Sequence, residues 1–283
     1  MIREISGRQN HSVKLARKLH SKKHRRERGL LVGEGLDLLR VATVAGVDVR
    51  DVLVRRDLLP DLPAELRERA ARSDPSDAAG PHVGVCDEET LAYVSALGGS
   101  ADVVFTAPEP NWNLSDLPLG QGLALFLDGV GDPGNVGTLV RSCAAFGATG
   151  VMCSPGTADP YSPKALRAGM GAQFTVRVVT EVTPADLRAK LSRLPNPEAE
   201  GPVVLVADAR QGDEVGGIRL HAGTVLVLGA ERRGPSEDWA GERRVTIPQE
   251  GFDSLNVAMA GTVILYALTS REAARHGAGP SAS

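Results

Sequence analysis

The sequence predicts an α/β protein in two units, the second organised on a parallel sheet. Three observations carry this expectation. The apolar runs "LALFLDG", "VVLVAD" and "TVLVLG" are rich in Leu and β-branched residues, as strands buried on both faces are. Helical segments alternate with them, the pattern of an open parallel sheet. Residues 106–121, within "TAPEPNWNLSDLPLGQG", are rich in Pro, Asn and Gly and read as a linker from an earlier α/β unit, 1–105.

In that first unit "LLVGEG" reads as a strand, "LDLLRVATVAG" as an amphipathic helix closed by Gly46, and "VRDVLVRRD" as a second strand. "AELRERAARS" is a helix, "HVGVCD" a strand, and "EETLAYVSALGG" a helix with acids in its first turn, where the macrodipole favours them. In the second unit, 122–276, "GVMCS", "TVRVV" and the shorter "RRVTIP" add strands. Helices are expected to start near Val136, Pro163, Pro184 and Ser254, and 277–283 to be a disordered tail.

Composition narrows the function classes. The 283 residues are 42% apolar and 24% charged, with no run long enough to span a bilayer and no apolar secretory region in "MIREISGRQNHSVK". A cytoplasmic protein without membrane attachment is expected. Cys86, Cys143 and Cys153 show no metal-ligand or disulfide spacing, so buried reduced thiols and no metal are expected. The net charge of −3 conceals an asymmetry: residues 1–28 carry ten Lys/Arg against two acids, leaving −11 for the rest. Eight of the ten lie in "KLARKLHSKKHRRER", Lys14 to Arg28, which reads either as a solvated face or as a patch that tracks phosphates. Without interleaved aromatics it would grip a nucleic-acid backbone rather than stack bases.

The polar, Gly-rich segments fall at strand carboxyl ends, where open sheets bind ligands. In "DGVGDPGNVGTLVRS", Gly129, Gly131 and Gly134 fit G-x-G-x-x-G, the dinucleotide fingerprint. Pro133 removes an N–H from that loop, and "VMCSPG" lacks the ribose-binding acid expected about 20 residues on, which argues against a nicotinamide oxidoreductase. Asn135 reads as a helix cap, and Arg141 as a lone guanidinium needing an anion, internal or from a substrate. "LVLGAERRGPSE" sets Gly229 and Gly234 around Glu231. "IPQEGFDSLNVAMAGTVILYAL" starts a helix at Asp253 or Ser254, with Ala258, Ala260 and Gly261 forming a close-packing surface. Ser254 is not in a hydrolytic context, because "FDSLN" is not G-x-S-x-G.

In this order and spacing the three loops resemble the three signature motifs of the SpoU (TrmH-type) branch of the SPOUT RNA methyltransferases. The first unit is similar to the L30e-like RNA-binding domain of rRNA-directed members, including thiostrepton-resistance-type enzymes; its "LLVGEGLDLLRVA" resembles their Val-Glu-Gly segment, with Gly33 and Glu34 slightly displaced. Two departures are Ala230, where the family often has a polar residue, and the lack of Pro-Gln-Gly ahead of the second unit.

The resemblance implies a deep trefoil knot in the second unit and a homodimer formed through it. It implies S-adenosyl-L-methionine as cofactor, S-adenosyl-L-homocysteine as product, and a ribose 2′-OH of 23S rRNA as target; tRNA or loss of catalysis are the alternatives. Leu228, Gly229, Gly234, Ile247, Pro248 and Leu255 would hold the cofactor. Asn135, Arg141, Glu231, Ser254 and Asn256 would form the catalytic set. Lys14, Arg17, Lys18, Lys22, Lys23, Arg25, Arg26 and Arg141 would bind RNA.

Overall fold

The computed structural model describes residues 2–5, 7–72, 81–96, 98, 101–194, 202–221, 223–250 and 254–275, with backbone only for 271–275. The chain divides into two compact units, 1–110 with 161–174, and 111–160 with 175–283.

The first unit begins with β1 (Ile2–Glu4), α1 (His11–Lys18) and α2 (Lys22–Arg28), then β2 (Leu30–Glu34), α3 (Leu36–Val44), β3 (Asp51–Arg55), α4 (Ala64–Arg72), β4 (His82–Cys86), α5 (Glu88–Val94) and β5 (Val103–Pro108). Its sheet has the order β1-β4-β3-β5-β2, with β5 antiparallel to both neighbours. The expected linker is therefore partly a central strand. Thr106 and Ala107 lie in its buried stretch, and Pro108 is tolerated only because it ends the strand. Farther on, Leu117 and Leu119 are buried in the second core. Gly33 sits where a Cβ would come within 2.4 Å of the Phe105 ring, so the sheet packs around its missing side chain.

The basic segment forms α1 and α2, and burial sorts its charges. Asn10 caps α1 by accepting the Ser12 N–H at 2.9 Å. Val13, Leu15, Ala16 and Leu19 enter the core, which turns Lys14, Arg17 and Lys18 outward. Lys22, Lys23 and Arg26 on α2 are exposed as well. Arg25 is not a phosphate ligand as expected: it is 2% exposed and donates to the carbonyls of Leu19 (2.8 Å) and His20 (2.9 Å). Its guanidinium locks the α1–α2 turn, because those helix-end carbonyls otherwise lack donors.

The second unit follows with β6 (Leu123–Asp128), α6 (Pro133–Phe146), β7 (Val151–Cys153), α7 (Pro163–Ala168), β8 (Val178–Thr180), α8 (Pro184–Leu191), β9 (Val204–Ala207), β10 (Asp213–Glu214), β11 (Thr224–Gly229), β12 (Arg243–Thr246) and α9 (Val257–Arg275). α7 belongs by its contacts to the first unit, where Leu38 and Val41 lie within 3 Å of where a Cβ on Gly171 would be. The seven strands, ordered β10-β12-β9-β11-β6-β7-β8, are all parallel. Phe126, Met152, Val206, Val227 and Trp239 centre the core, with Phe126 and Trp239 in edge contact at 5.0 Å. α6 begins at Pro133, a favoured first helical position. α9 lies close on α6 and β11, since a Cβ on Gly261 would meet Leu139 at 2.4 Å and Leu228 at 2.6 Å. The expected tail, 277–283, lies outside the described residues.

Candidate functional site

β6 and β11 run in register, with Gly229 opposite Asp128, so the first two motif loops leave the sheet side by side. β7 and β8 continue to one side of this pair and β9, β12 and β10 to the other. Such a reversal of strand order is where open α/β sheets take ligands.

A cavity of about 700 Å³ opens beside it, at the carboxyl ends of β9, β11 and β12, within the range of small-molecule sites. Its apolar surface comes from Leu228, Ile247, Leu255 and Ile264; Asp208, Gln249, Ser254 and Asn256 add polar atoms. Gly229 and Gly234 line it too, and Gly229 cannot carry a side chain: a Cβ would lie 2.0 Å from the Pro235 nitrogen. Pro248 does not line it. Alternate residues of an extended segment point to opposite sides, so Ile247 and Gln249 reach the cavity while Pro248 is exposed.

The caps differ from the sequence reading, and the difference builds the site. Asp132, not Asn135, caps α6, accepting the Asn135 N–H at 3.1 Å. The Asn135 side chain is thereby released to bridge the other loops. Its Nδ2 donates to Glu231 Oε1 at 2.8 Å, and its Oδ1 accepts from Asn256 Nδ2 at 3.2 Å. Asn256 in turn caps α9, its Oδ1 accepting the N–H groups of Ala258 (2.9 Å) and Met259 (3.3 Å). Ser254 is exposed in the segment before the helix, without a hydrogen bond among the described residues; Asp253 lies outside them.

Glu231 receives more than one donor. Burial pushes its carboxyl up, but the Asn135 amide and the backbone N–H groups of Glu231, Gly131 and Asp132 together hold it below the ordinary carboxylate value. It is ionised at neutral pH. This also settles the glycine-rich loop: the Gly131 N–H points to Glu231 Oε2 (3.3 Å), and the Gly129 N–H to the hydroxyls of Ser154 (2.9 Å) and Thr157 (3.1 Å). Donors that a pyrophosphate would need are occupied.

Arg141 stands apart from the bridge. It is exposed on α6, six residues beyond Asn135, with no hydrogen-bond or carboxylate partner among the described residues. Two residues that sequence reasoning missed support the loops. Asp128 Oδ2 accepts the Ser236 N–H (2.8 Å) and Trp239 Nε1–H (3.0 Å), fixing the exit of the second motif. Gln249 Oε1 is shielded from solvent without a donor among the described residues, on a side chain that lines the cavity. A carboxylate ending an apolar strand was the available signal for Asp128; none marked Gln249.

Asn135→Ala removes the Glu231 donor while leaving the carboxylate in place. We expect the Glu231 pKa to rise, so that the carboxylate is lost at a higher pH on acidification than in the wild type, as read by carbon NMR of its carboxyl. An unchanged titration would show that the backbone donors alone hold the charge.

Comparison with known proteins agrees with this geometry. The sequence model of the SpoU rRNA Methylase family matches residues 122–266, and that of the MRM3-like substrate binding domain matches 10–100. The 23S rRNA (guanosine(2553)-2′-O)-methyltransferase RlmP of Bacillus subtilis is 26% identical over 94% of this chain and 99% of its own. The 23S rRNA (uridine(2479)-2′-O)-methyltransferase of Streptomyces viridochromogenes is 32% identical over 58% of each chain. The crystal structure of an AdoMet-bound rRNA methyltransferase from Sinorhizobium meliloti superposes with a TM-score of 0.78 at 27% identity, covering 96% of this chain and 98% of that one. With its three motif loops tied together through Asn135 and the family model covering half its length, the chain belongs to the SpoU rRNA methylase family.

Proposed function

We infer that the chain is an S-adenosylmethionine-dependent methyltransferase acting on a ribose 2′-hydroxyl of 23S rRNA. The observation that carries this reading is the Glu231–Asn135–Asn256 bridge at the edge of a 700 Å³ cavity. The residues fit the cofactor. The apolar side chains of Leu228, Ile247 and Leu255 suit an adenosine, and the shielded Gln249 Oε1 is an acceptor left for a ligand amino group. S-adenosylmethionine supplies a methyl group on a positively charged sulfur.

The chain's own work is to place a hydroxyl in line with that methyl carbon, about 3 to 3.5 Å away, and to help it lose a proton. A cysteine nucleophile has no support: burial, with Asp87 and Glu4 nearby, pushes the Cys86 thiol up to about 12, and burial holds Cys143 far above its ordinary value. Glu231 is a weak base because its donors favour the ionised form, so its role is to hold the loops. Arg141, exposed and unpaired among the described residues, clamps a substrate phosphate. Its cation lowers the pKa of a neighbouring hydroxyl; a guanidinium with pKa above about 12 is seldom neutral enough to take the proton itself. Ser254, at the cavity wall, presents its hydroxyl toward the same substrate.

The exposed charges of α1 and α2 track the RNA backbone. The four apolar residues Leu255, Met259, Val263 and Tyr266, 38% to 64% exposed and spaced four, four and three apart, form a stripe that seats a second copy of the chain. No described helix is long and apolar enough to cross a membrane, and we place the protein in the cytoplasm with its RNA.

Calorimetric titration with S-adenosylmethionine is expected to give one site per chain, and no heat would reject the cofactor assignment. Arg141→Lys is expected to keep that site while cutting turnover at least tenfold, since the fork is lost and the charge kept; unchanged turnover would refute the bidentate clamp. Contact of the basic segment with about five phosphates makes log K for RNA fall with log salt at a slope of roughly −3.5, and a flat dependence would remove that role. Light scattering is expected to give twice the 29.7 kDa chain mass, falling to one chain in a Met259→Lys/Tyr266→Lys variant; a monomeric wild type would refute the dimer.

A further inference from the structure

The second unit carries 13 Lys/Arg against 18 Asp/Glu, a net −5, yet on the reading above its cavity must receive a polyanion. Several of its guanidinium groups are spent on internal partners: Arg243 on Asp213 (2.8 Å), Arg244 on the Trp239 carbonyl (3.2 Å), and Arg188 on Glu242 (3.3 Å). Arg232 and Arg233 are not. Both are exposed, both line the cavity mouth, and neither has a hydrogen-bond or carboxylate partner among the described residues. Their neighbour Glu231 is no partner either, because its two oxygens face the Asn135 amide and the Gly131 N–H.

The backbone presents this pair rigidly. Ala230 and Gly234 form a two-way bridge, with the Gly234 N–H on the Ala230 carbonyl at 2.8 Å and the Ala230 N–H on the Gly234 carbonyl at 3.1 Å. Only Glu231, Arg232 and Arg233 lie between them. Gly234 takes the left-handed φ of +69° that closes this tip, and Pro235 leaves it against the bare face of Gly229. A tip held this way loses little further backbone freedom on binding.

We propose that Arg232 and Arg233 form a second phosphate clamp, gripping the RNA backbone beside the target nucleotide at the cavity mouth. The proposal rests on the RNA methyltransferase reading and adds residues to it. Two adjacent exposed forks match successive phosphates of a chain. The cofactor, with a single carboxylate offset by its own ammonium and sulfonium, needs no such pair. The clamp also explains how an acidic unit holds RNA close to its cavity.

The test compares wild type with Arg232→Gln/Arg233→Gln, measuring affinity for unmodified 23S rRNA transcript from 0.05 to about 0.5 M salt, and S-adenosylmethionine affinity by calorimetry. Losing two single-strand contacts is expected to make the salt slope shallower by about 1.4, equivalent to roughly 25-fold weaker binding at 0.1 M against a 1 M reference. Cofactor affinity is expected to stay within twofold. The double Lys variant keeps the charge and is expected to restore most of the slope. Arg219→Gln, an exposed arginine of the same unit away from the cavity, is expected to change neither quantity. An unchanged slope, or loss of cofactor affinity with the slope intact, overturns the clamp. A wild type that binds neither cofactor nor RNA overturns the underlying methyltransferase reading, and the clamp with it.

Discussion

The chain of three side-chain groups, Asn256 to Asn135 to Glu231, is the interaction on which the site depends. Each member comes from a different motif, and the two hydrogen bonds span 96 and 121 residues of sequence. A buried or half-buried amide that donates to one loop and accepts from another fixes both at once, and an ionised acceptor makes one of the bonds charge-assisted. Asn256 adds a third duty by capping α9, so the cavity wall and the helix behind it are tied to the same bridge.

Charge is divided between the units with the same economy. The first unit concentrates cations on two short helices whose apolar residues orient them, while Arg25 is withdrawn to close the turn between them. The second unit is acidic overall and pairs Arg243 and Arg188 internally. Among the cations without a partner in the described residues, Arg232 and Arg233 line the cavity and Arg141 stands on α6, where a polyanion would be met. In a low-charge or acidic unit, attraction has to be local because the long-range field does not supply it.

Much of the architecture was legible because the second unit's strands are long apolar runs and the sheet they form is parallel and buried on both faces. Elements with weak signals were not. β1 has three exposed residues, β10 only two, and β5 begins among Asp and Ser and ends in Pro. Their strand state comes from pairing with neighbours distant in the chain, which no local pattern records. Residues of the motif loops were legible as a set, but their tasks were not: Asn135 and Ser254 both read as caps, and neighbours three residues away or fewer, Asp132 and Asn256, took those positions.

The sequence by itself determined the alternation of the second unit's main strands and helices, the burial of those strands and the residue types available in each loop, since these follow from periodicity and from the chemistry of Gly, Pro, Asn and charged side chains. Tertiary structure alone decided which polar groups meet. A hydrogen bond is satisfied within about 3 Å, and across 100 residues only the packed sheet brings Glu231 that close to Asn135, withdraws Arg25 from solvent, or leaves Arg232 and Arg233 facing outward.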